Sequence, residues 1–385
     1  MIYLDNSATT ALSPSVRQKI SESLEFYGNP SSRHALGLQS KKLVDEARAN
    51  VATSLGLKKS DAQRIIFTSC GSEANNLAIL GSIYSKDKRR GNRIITTDSE
   101  HPSVENVMQR LERDGFEVIR LSTRGGVIDM KEFEGYMDSS VLLVSVMMVN
   151  NETGAVYDVQ KIFATAKRIN PDTVTHTDAV QGFMKLPIDV QRLGADLVSV
   201  SAHKIHGPKG VGALYVSPEI IKTKKIVPYI IGGGQEGGLR SGTENLLGIV
   251  GFGEAAREGQ LASSADREKV IALRNLCEEQ VKLAGAVVNT PEGDRAPHVV
   301  SVRLPKIKSE TMLNFLSAKG ICVSSGSACS SHSQHISSAL MGFGLSRGEA
   351  DSTIRVSISA CNTEQDILDL GRELKTGIAM LIRFK

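Results

Sequence analysis

The stretch Ala195–Val216, ADLVSVSAHKIHGPKGVGALYV, decides how the rest of the chain is read. It opens with an apolar, β-branched run (Leu197, Val198, Val200), passes Ser201, His203, Lys204 and His206, crosses glycines 207, 210 and 212, and returns to an apolar run. A short apolar run bounded by turn residues is the pattern of a buried strand, and Gly207-Pro208 punctuates the loop. The pattern predicts strand, loop, strand. Lys204 falls just past the first strand, where loss of solvent lowers an ammonium's pKa and frees the amine to form Schiff bases with carbonyl compounds. Taken alone, a surface-loop lysine fits the stretch better; what shifts the balance is the company it keeps elsewhere in the chain.

Working outward, strand-like segments (64–68, 93–97, 117–121, 141–149, 173–177) alternate with helix-like ones (15–27, 38–55, 72–85, 103–114, 130–137, 159–169). Such alternation implies an α/β fold with a mostly parallel sheet and helices on both faces. Ligands in that architecture sit beyond the carboxyl ends of the strands. Ser72, His101, Asn151, Asp178 and Lys204 all fall just past predicted strand ends. A glycine-rich connection, 232–238, precedes a helical region from about 243 to 284, whose charged middle suggests a surface crossing between domains. The remainder reads as strand, helix, strand, serine-rich loop, helix, strand, helix.

At 385 residues the chain exceeds the size at which one core stops growing. The expected division is a large domain over 15–255 and a smaller α/β domain built from 1–14 and 256–385. A balance of 46 basic against 42 acidic residues, a net +4, is too mild and dispersed to argue for nucleic acid. No apolar run approaches the roughly 18 residues of a membrane span, and the start MIYLDNSATT lacks a basic region followed by an apolar core. A cytoplasmic enzyme is expected. Five cysteines, an odd number without a C-x-x-C pair, argue against a disulfide framework and against a structural zinc site.

Several segments carry chemistry. Thr68 to Asn76 runs a strand into Ser-Cys-Gly-Ser at a helix start, which suits a phosphate; an ordinary N-cap by Ser69 or Ser72 fits as well. Asp178, in HTDAVQG, suits pairing with a pyridinium nitrogen or capping the next helix, with Gln181 in reach of a ring hydroxyl. His101, in SEHPS, suits stacking on a flat ring and proton transfer, or a plain turn before Pro102. Asn151 and Arg355 lie at strand ends, and Arg355 suits a bidentate clamp on a carboxylate or a surface salt bridge. Cys329 lies in VSSGSACSSHSQHISSAL, a segment too polar to pack a core, where a thiol is available as a nucleophile with His332 and His335 nearby in sequence. Cys277 and Cys361 read as structural, and Cys70 is ambiguous.

In order from residue 3 to residue 331 the chain contains YLDNSATT, YGNPSSRHALG, FTSCGSEANN, SEHPSV, VNNETG, HTDAVQ, SAHKIHGPKGVGALY, GGGQEGGLRSGTEN and SSGSACSS. Together these resemble the NifS/IscS group of cysteine desulfurases, in the class V aminotransferase superfamily of fold type I. The resemblance implies a seven-stranded, mostly parallel sheet and a pyridoxal 5'-phosphate cofactor. It implies that Lys204 holds the cofactor as a Schiff base and later moves protons, that Asp178 pairs with the ring nitrogen, and that His101 stacks on the ring. By the same resemblance Gln181 contacts the ring hydroxyl, and Gly71, Ser72, Ser201 and His203 bind phosphate. Thr243 would reach the cofactor of the other subunit in a homodimer. Asn151, which also borders the cofactor, and Arg355 would hold the carboxylate of L-cysteine, and Asn29 would border the substrate. Cys329 would take the sulfur as a persulfide, leaving alanine, for delivery to an acceptor such as an iron–sulfur scaffold. Selenocysteine lyase or another class V aminotransferase is the alternative. Cys70 stands where the family usually has glycine, and Ser72 where it usually has threonine. The sequence stops at Lys385 without the longer tail by which housekeeping members dock a scaffold, so the resemblance does not extend to that docking segment.

Overall fold

The computed structural model describes residues 1–85, 91–262, 264–325 and 336–381. The chain opens with β1 (Ile2–Tyr3), α1 (Pro14–Glu22) and α2 (Ala35–Ser54). The alternation read from the sequence follows: β2 (Ile65–Thr68), α3 (Gly71–Tyr84), β3 (Arg93–Thr97), α4 (Pro102–Arg113), β4 (Glu117–Leu121), α5 (Met130–Tyr136), β5 (Val141–Ser145) and α6 (Val159–Ile169). It continues through β6 (Val174–Asp178), α7 (Val190–Leu193), β7 (Leu197–Ser201), β8 (Gly212–Val216) and α8 (Pro218–Lys222). The expected helical region beyond residue 243 is two helices, α9 (Leu246–Leu261) and α10 (Ser264–Leu283). The rest comprises β9 (Val287–Val288), β10 (Val299–Arg303), α11 (Ser309–Ala318), β11 (Ile321–Cys322), β12 (Ser324–Ser325), α12 (Ser338–Gly342), α13 (Arg347–Asp351), β13 (Thr353–Ser357) and α14 (Glu364–Leu381).

Seven strands make one sheet in the order β2-β8-β7-β6-β5-β3-β4. Only β8 runs against its neighbours, paired from Leu197↔Val216 to Ser201↔Gly212 on one side and with β2 on the other. The strand–loop–strand reading of 195–216 therefore holds, as does the mostly parallel sheet. Both faces of the strands are apolar, as a sheet covered on two sides requires. Ile65, Phe67, Ile95 and Val144 pack toward α2, α6 and α9, while Ile66, Ile94 and Leu143 pack toward α3 and α4. A third apolar cluster gathers Leu4 with residues of α10, β10, α11, β13 and α14.

One strand is shorter than its apolar run. Residues 146–149, read as part of a strand from 141, leave the regular ladder after Ser145, although they stay buried. Val146 and Met148 still donate to His176 and Asp178 of β6, but Val149 turns to pair with Val156. Hydrophobicity alone does not register that divergence.

Two polar devices brace the sheet. His176 spans three strands, with Nδ1 against Ser145 Oγ at 2.8 Å and Nε2 against Ser199 Oγ at 3.0 Å. Burial pushes its pKa down to about 3, so the ring is neutral. At the sheet margin, β2 would leave backbone groups unpaired, and the pair Arg48–Glu236 takes them. Glu236 accepts the Phe67 N–H at 2.9 Å, and Arg48 Nη1 donates to the Ile65 carbonyl at 2.6 Å. The two side chains pair with each other at 2.5 and 2.8 Å, and the guanidinium lies over the Phe67 ring. Glu236 sits at φ +51, a conformation uncommon for a non-glycine residue, which its side-chain anchor supports.

Glu236→Ala strands a guanidinium that is 15% exposed, and removing one member of such a pair costs on the order of 3 kcal/mol. Urea unfolding should show that loss, with much of it regained in the Arg48→Met/Glu236→Leu double variant. A double variant whose loss equals the sum of the single losses would contradict the arrangement.

Candidate active site

The carboxyl edge of the parallel strands gathers the polar residues. Lys204 ends a single 3₁₀ turn, Ala202–Lys204, directly after β7. Its Nζ donates to the carbonyls of Ser7 at 2.5 Å and Ala8 at 2.8 Å. Ser7 O also accepts Gln181 Nε2 at 2.9 Å, and Gln181 Oε1 faces His298 Nε2 at 3.4 Å. Burial, then the charges of Lys185, Arg355 and Lys204, push the His298 pKa well below its usual value, so that ring is neutral.

Asp178 is the last residue of β6 rather than the first beyond it. Its Oδ1 accepts the Val180 N–H at 3.0 Å and its Oδ2 accepts Asn75 Nδ2 at 2.7 Å. The same Asn75 nitrogen donates to Ser103 Oγ at 2.9 Å. His101 caps α4, its Nδ1 accepting the Ser103 N–H at 3.1 Å. Burial pushes the His101 pKa down; the Asp178 carboxylate opposes that shift by less, and Lys204 adds to it.

The start of α3 is left open. Cys70 occupies the N-cap position and contributes no side-chain bond, so neither Ser69 nor Ser72 caps the helix. Ser201 Oγ is buried with no partner. A Cβ built on Gly71 would lie 2.9 Å from Val180 Cγ2 and 3.4 Å from Ser201 Cβ. One built on Gly212, at the start of β8, would lie 2.6 Å from the Cys70 carbonyl carbon. Two glycines thus keep space beside uncapped N–H groups and an orphan hydroxyl, which fits a phosphate group. His203 Nδ1 lies 3.2 Å from Thr9 Oγ1, and burial followed by Lys204 and Lys209 pushes its pKa down to about 4.

Arg355, on β13, is buried. Nη2 pairs with Asp5 Oδ1 at 2.9 Å, Nη1 donates to the Asn151 carbonyl at 3.0 Å, and Nε is buried without a partner. Of the two readings, the salt bridge is present but buried rather than on the surface, with one donor left open. Asn29, Ser72 and Thr243 are exposed, and no hydrogen bond joins Asn29 or Thr243 to this set. Cys329, His332 and His335 lie outside the described residues. The described residues hold no group of three His, Cys, Asp or Glu side chains that could bind a metal ion.

Residues 2–370 match the family model described as "Aminotransferase class-V". The chain belongs to the class-V aminotransferase family. Within that family it is 40% identical over 372 residues to a cysteine desulfurase of Trichormus azollae, covering 95% of this chain and 90% of the relative. A solved "NIFS-LIKE PROTEIN" superposes with a TM-score of 0.90 at 35% identity, over 98% of this chain and 99% of the other. A structure titled "SspA in complex with cysteine" superposes at 0.79 with 32% identity, over 94% and 100%. The chain thus groups with the cysteine desulfurases among class-V aminotransferases, and the type I fold expected from the motifs holds.

Some residues that shape this class-V site carried no assigned role at the sequence level. Asp5, Ser7 and Ala8 lie in YLDNSATT, but their partners Arg355 and Lys204 are about 200 to 350 positions away. Asn75 and Ser103 lie inside FTSCGSEANN and SEHPSV, where the sequence marks these two residues only as part of a helix start. The tight approach of β8 to the α3 turn predicts that Gly212→Ala weakens binding of pyridoxal phosphate, the cofactor the family resemblance implies, about tenfold or more, the worth of one charge-assisted hydrogen bond. Titration of the apoprotein, followed by cofactor absorbance, checks this against Gly135→Ala, where a Cβ meets nothing within 4 Å. Equal affinity in the two variants would remove the turn from the phosphate site.

Proposed function

We propose that this chain is a pyridoxal 5'-phosphate-dependent cysteine desulfurase that converts L-cysteine to L-alanine and moves the sulfur to Cys329 as a persulfide. From there it passes to an acceptor protein for iron–sulfur cluster or thio-cofactor synthesis. One observation carries the reading: the Lys204 ammonium, held on two backbone carbonyls, shares one sheet edge with Asp178, His101 and the uncapped start of α3. The relatives' names favour this over selenocysteine lyase or aminotransferase.

Pyridoxal phosphate, when bound, supplies an electron sink that stabilises the carbanion needed for carbon–sulfur cleavage. Gly71, Ser72, Ser201 and His203 would hold its phosphate, Lys204 its aldehyde carbon, and Asp178, Gln181, Asn151 and His101 its ring. The open Nε of Arg355, with Asn151, would orient the substrate carboxylate, and Asn29 would border the substrate as the resemblance implies. Lys204 Nζ carries protons once it is free of its covalent role. The Cys329 thiolate forms the new S–S bond as the substrate C–S bond breaks, so that cysteine and thiol become alanine and persulfide.

A homodimer completes this reading. Leu24, Tyr27, Leu38 and Ile231 are exposed by 56–85%. Leu38 also lines a cleft of about 350 Å³ together with Pro30, Val44, Arg48 and Glu244, next to Thr243. Exposed apolar side chains of this size suit burial against a second copy, with Thr243 reaching its cofactor. The division into 15–255 and 1–14 with 256–385 is supported by the separate cluster around Leu4, β10 and α14. The four described cysteines are free thiols, which suits a reducing cytoplasmic setting.

The test is sulfide and alanine release from L-cysteine with reductant, comparing cofactor-loaded wild type with Cys329→Ala. Equal amounts of both products from wild type, falling by at least about 100-fold in the variant, are expected for loss of a nucleophile. Full activity in the variant would transfer the role away from Cys329.

A further inference from the structure

Asp178 and His101 are joined by two side chains that the proposed chemistry does not use. Asn75, 1% exposed, directs its amide nitrogen at Asp178 Oδ2 (2.7 Å) and at Ser103 Oγ (2.9 Å). Both of its N–H bonds are thereby spent. Ser103 Oγ lies 2.8 Å from His101 Nδ1, and the Ser103 backbone N–H points at the same ring nitrogen at 3.1 Å. A backbone amide can only donate, so Nδ1 must present its lone pair, and the neutral ring carries its proton on Nε2. The serine hydroxyl, accepting from Asn75, is then polarised to donate to Nδ1 as well.

We propose that Asn75 and Ser103 are positioning residues that hold His101 as the Nε2–H tautomer and tie it to Asp178 in one hydrogen-bonded line. The direction of the line follows from its donors: Asn75 donates both ways, to the carboxylate and to the serine, and the serine passes the polarity on to the imidazole. Protonating Nδ1 would set an N–H against the Ser103 N–H and force the cap of α4 to open. His101 therefore exchanges protons only at Nε2. The charged groups facing it are Asp178 from β6 and Lys204 beyond β7, with Glu100 beside it on its own loop. Glu100 is buried and its carboxyl is pushed up to about 8, so its charge does not oppose the neutral ring near pH 7.

The functional half of this inference rests on the reading of His101 and Asp178 as cofactor contacts; the tautomer does not. Long-range ¹H–¹⁵N NMR spectra of the apoprotein report which nitrogen is protonated. Wild type should show Nε2–H with bare Nδ1 at pH 7, and Ser103→Ala, which keeps the backbone N–H but loses the hydroxyl, should keep that tautomer with a higher imidazole pKa. In the holoenzyme, the acid limb of alanine formation should move up by about half to one pH unit in Ser103→Ala, the worth of one hydrogen bond. Ser103→Thr, which keeps the hydroxyl, should restore it, and thermal melts identify any variant that has simply lost its fold. An Nδ1–H tautomer in wild type, or a folded Ser103→Ala whose spectrum and pH profile match wild type, overturns the inference. Wild type that takes up no cofactor and makes no alanine, with the Nε2–H tautomer intact, instead overturns the functional reading and leaves the hydrogen-bonded line standing.

Discussion

The site depends on giving one ammonium its partners. Lys204 comes off a buried strand into a half-buried position, and an ammonium there without acceptors would be costly. The acceptors are two consecutive carbonyls, Ser7 and Ala8, supplied by a segment that belongs to no regular element of the large sheet. That segment is held from both directions. Leu4 donates to the Cys322 carbonyl, Asn6 donates to the Ser357 carbonyl, and Thr10 bonds the carbonyl of His203. Asp5, in the middle, pairs with Arg355. One strap of backbone thus sets Lys204 and Arg355 relative to each other, so displacing it would disturb both.

The large sheet was legible because its cause is local. Apolar β-branched runs separated by amphipathic helices dictate a two-faced parallel sheet whatever the distant residues are. Strand ends alone placed the turn that carries Lys204 after Ser201 and placed Asp178 to within one residue of the end of β6, without deciding what either does. For Arg355 the residues left a carboxylate clamp and a surface salt bridge equally open, because its buried position comes from Asp5 and Asn151, which local sequence does not reveal. The boundary of β5 was overextended for a similar reason: Val146 to Val149 are as apolar as the strand before them, and only their new partner, Val156, ends the ladder.

Histidine shows the same division. Eight histidines look alike in composition, yet the fold gives them different work. His176 braces three strands from within the core and His34 caps α2, while His101 and His203 border the site. In the capping case the sequence offered a turn residue or a ring-stacking proton carrier, and the structure shows His101 capping α4 at the sheet edge that also holds Asp178. A helix cap is a useful place for a reactive ring, because the backbone N–H that satisfies the helix also settles the ring's proton.

The pairing of Asp5 with Arg355 has a consequence for synthesis. The two residues are 350 positions apart, and a ribosome adding 5–20 residues per second separates their appearance by roughly 20–70 s. The residues of the large sheet emerge within that interval, so its folding does not wait for the strap. Ile2, Tyr3 and Leu4 meanwhile lack β11 and β13, and present an apolar strand edge with nothing to pair with. Until β11 and β13 emerge the nascent chain therefore carries Ile2–Leu4 as a sticky edge, and the interval in which chaperones or misassembly compete for it is set by sequence separation rather than by any property of the segment.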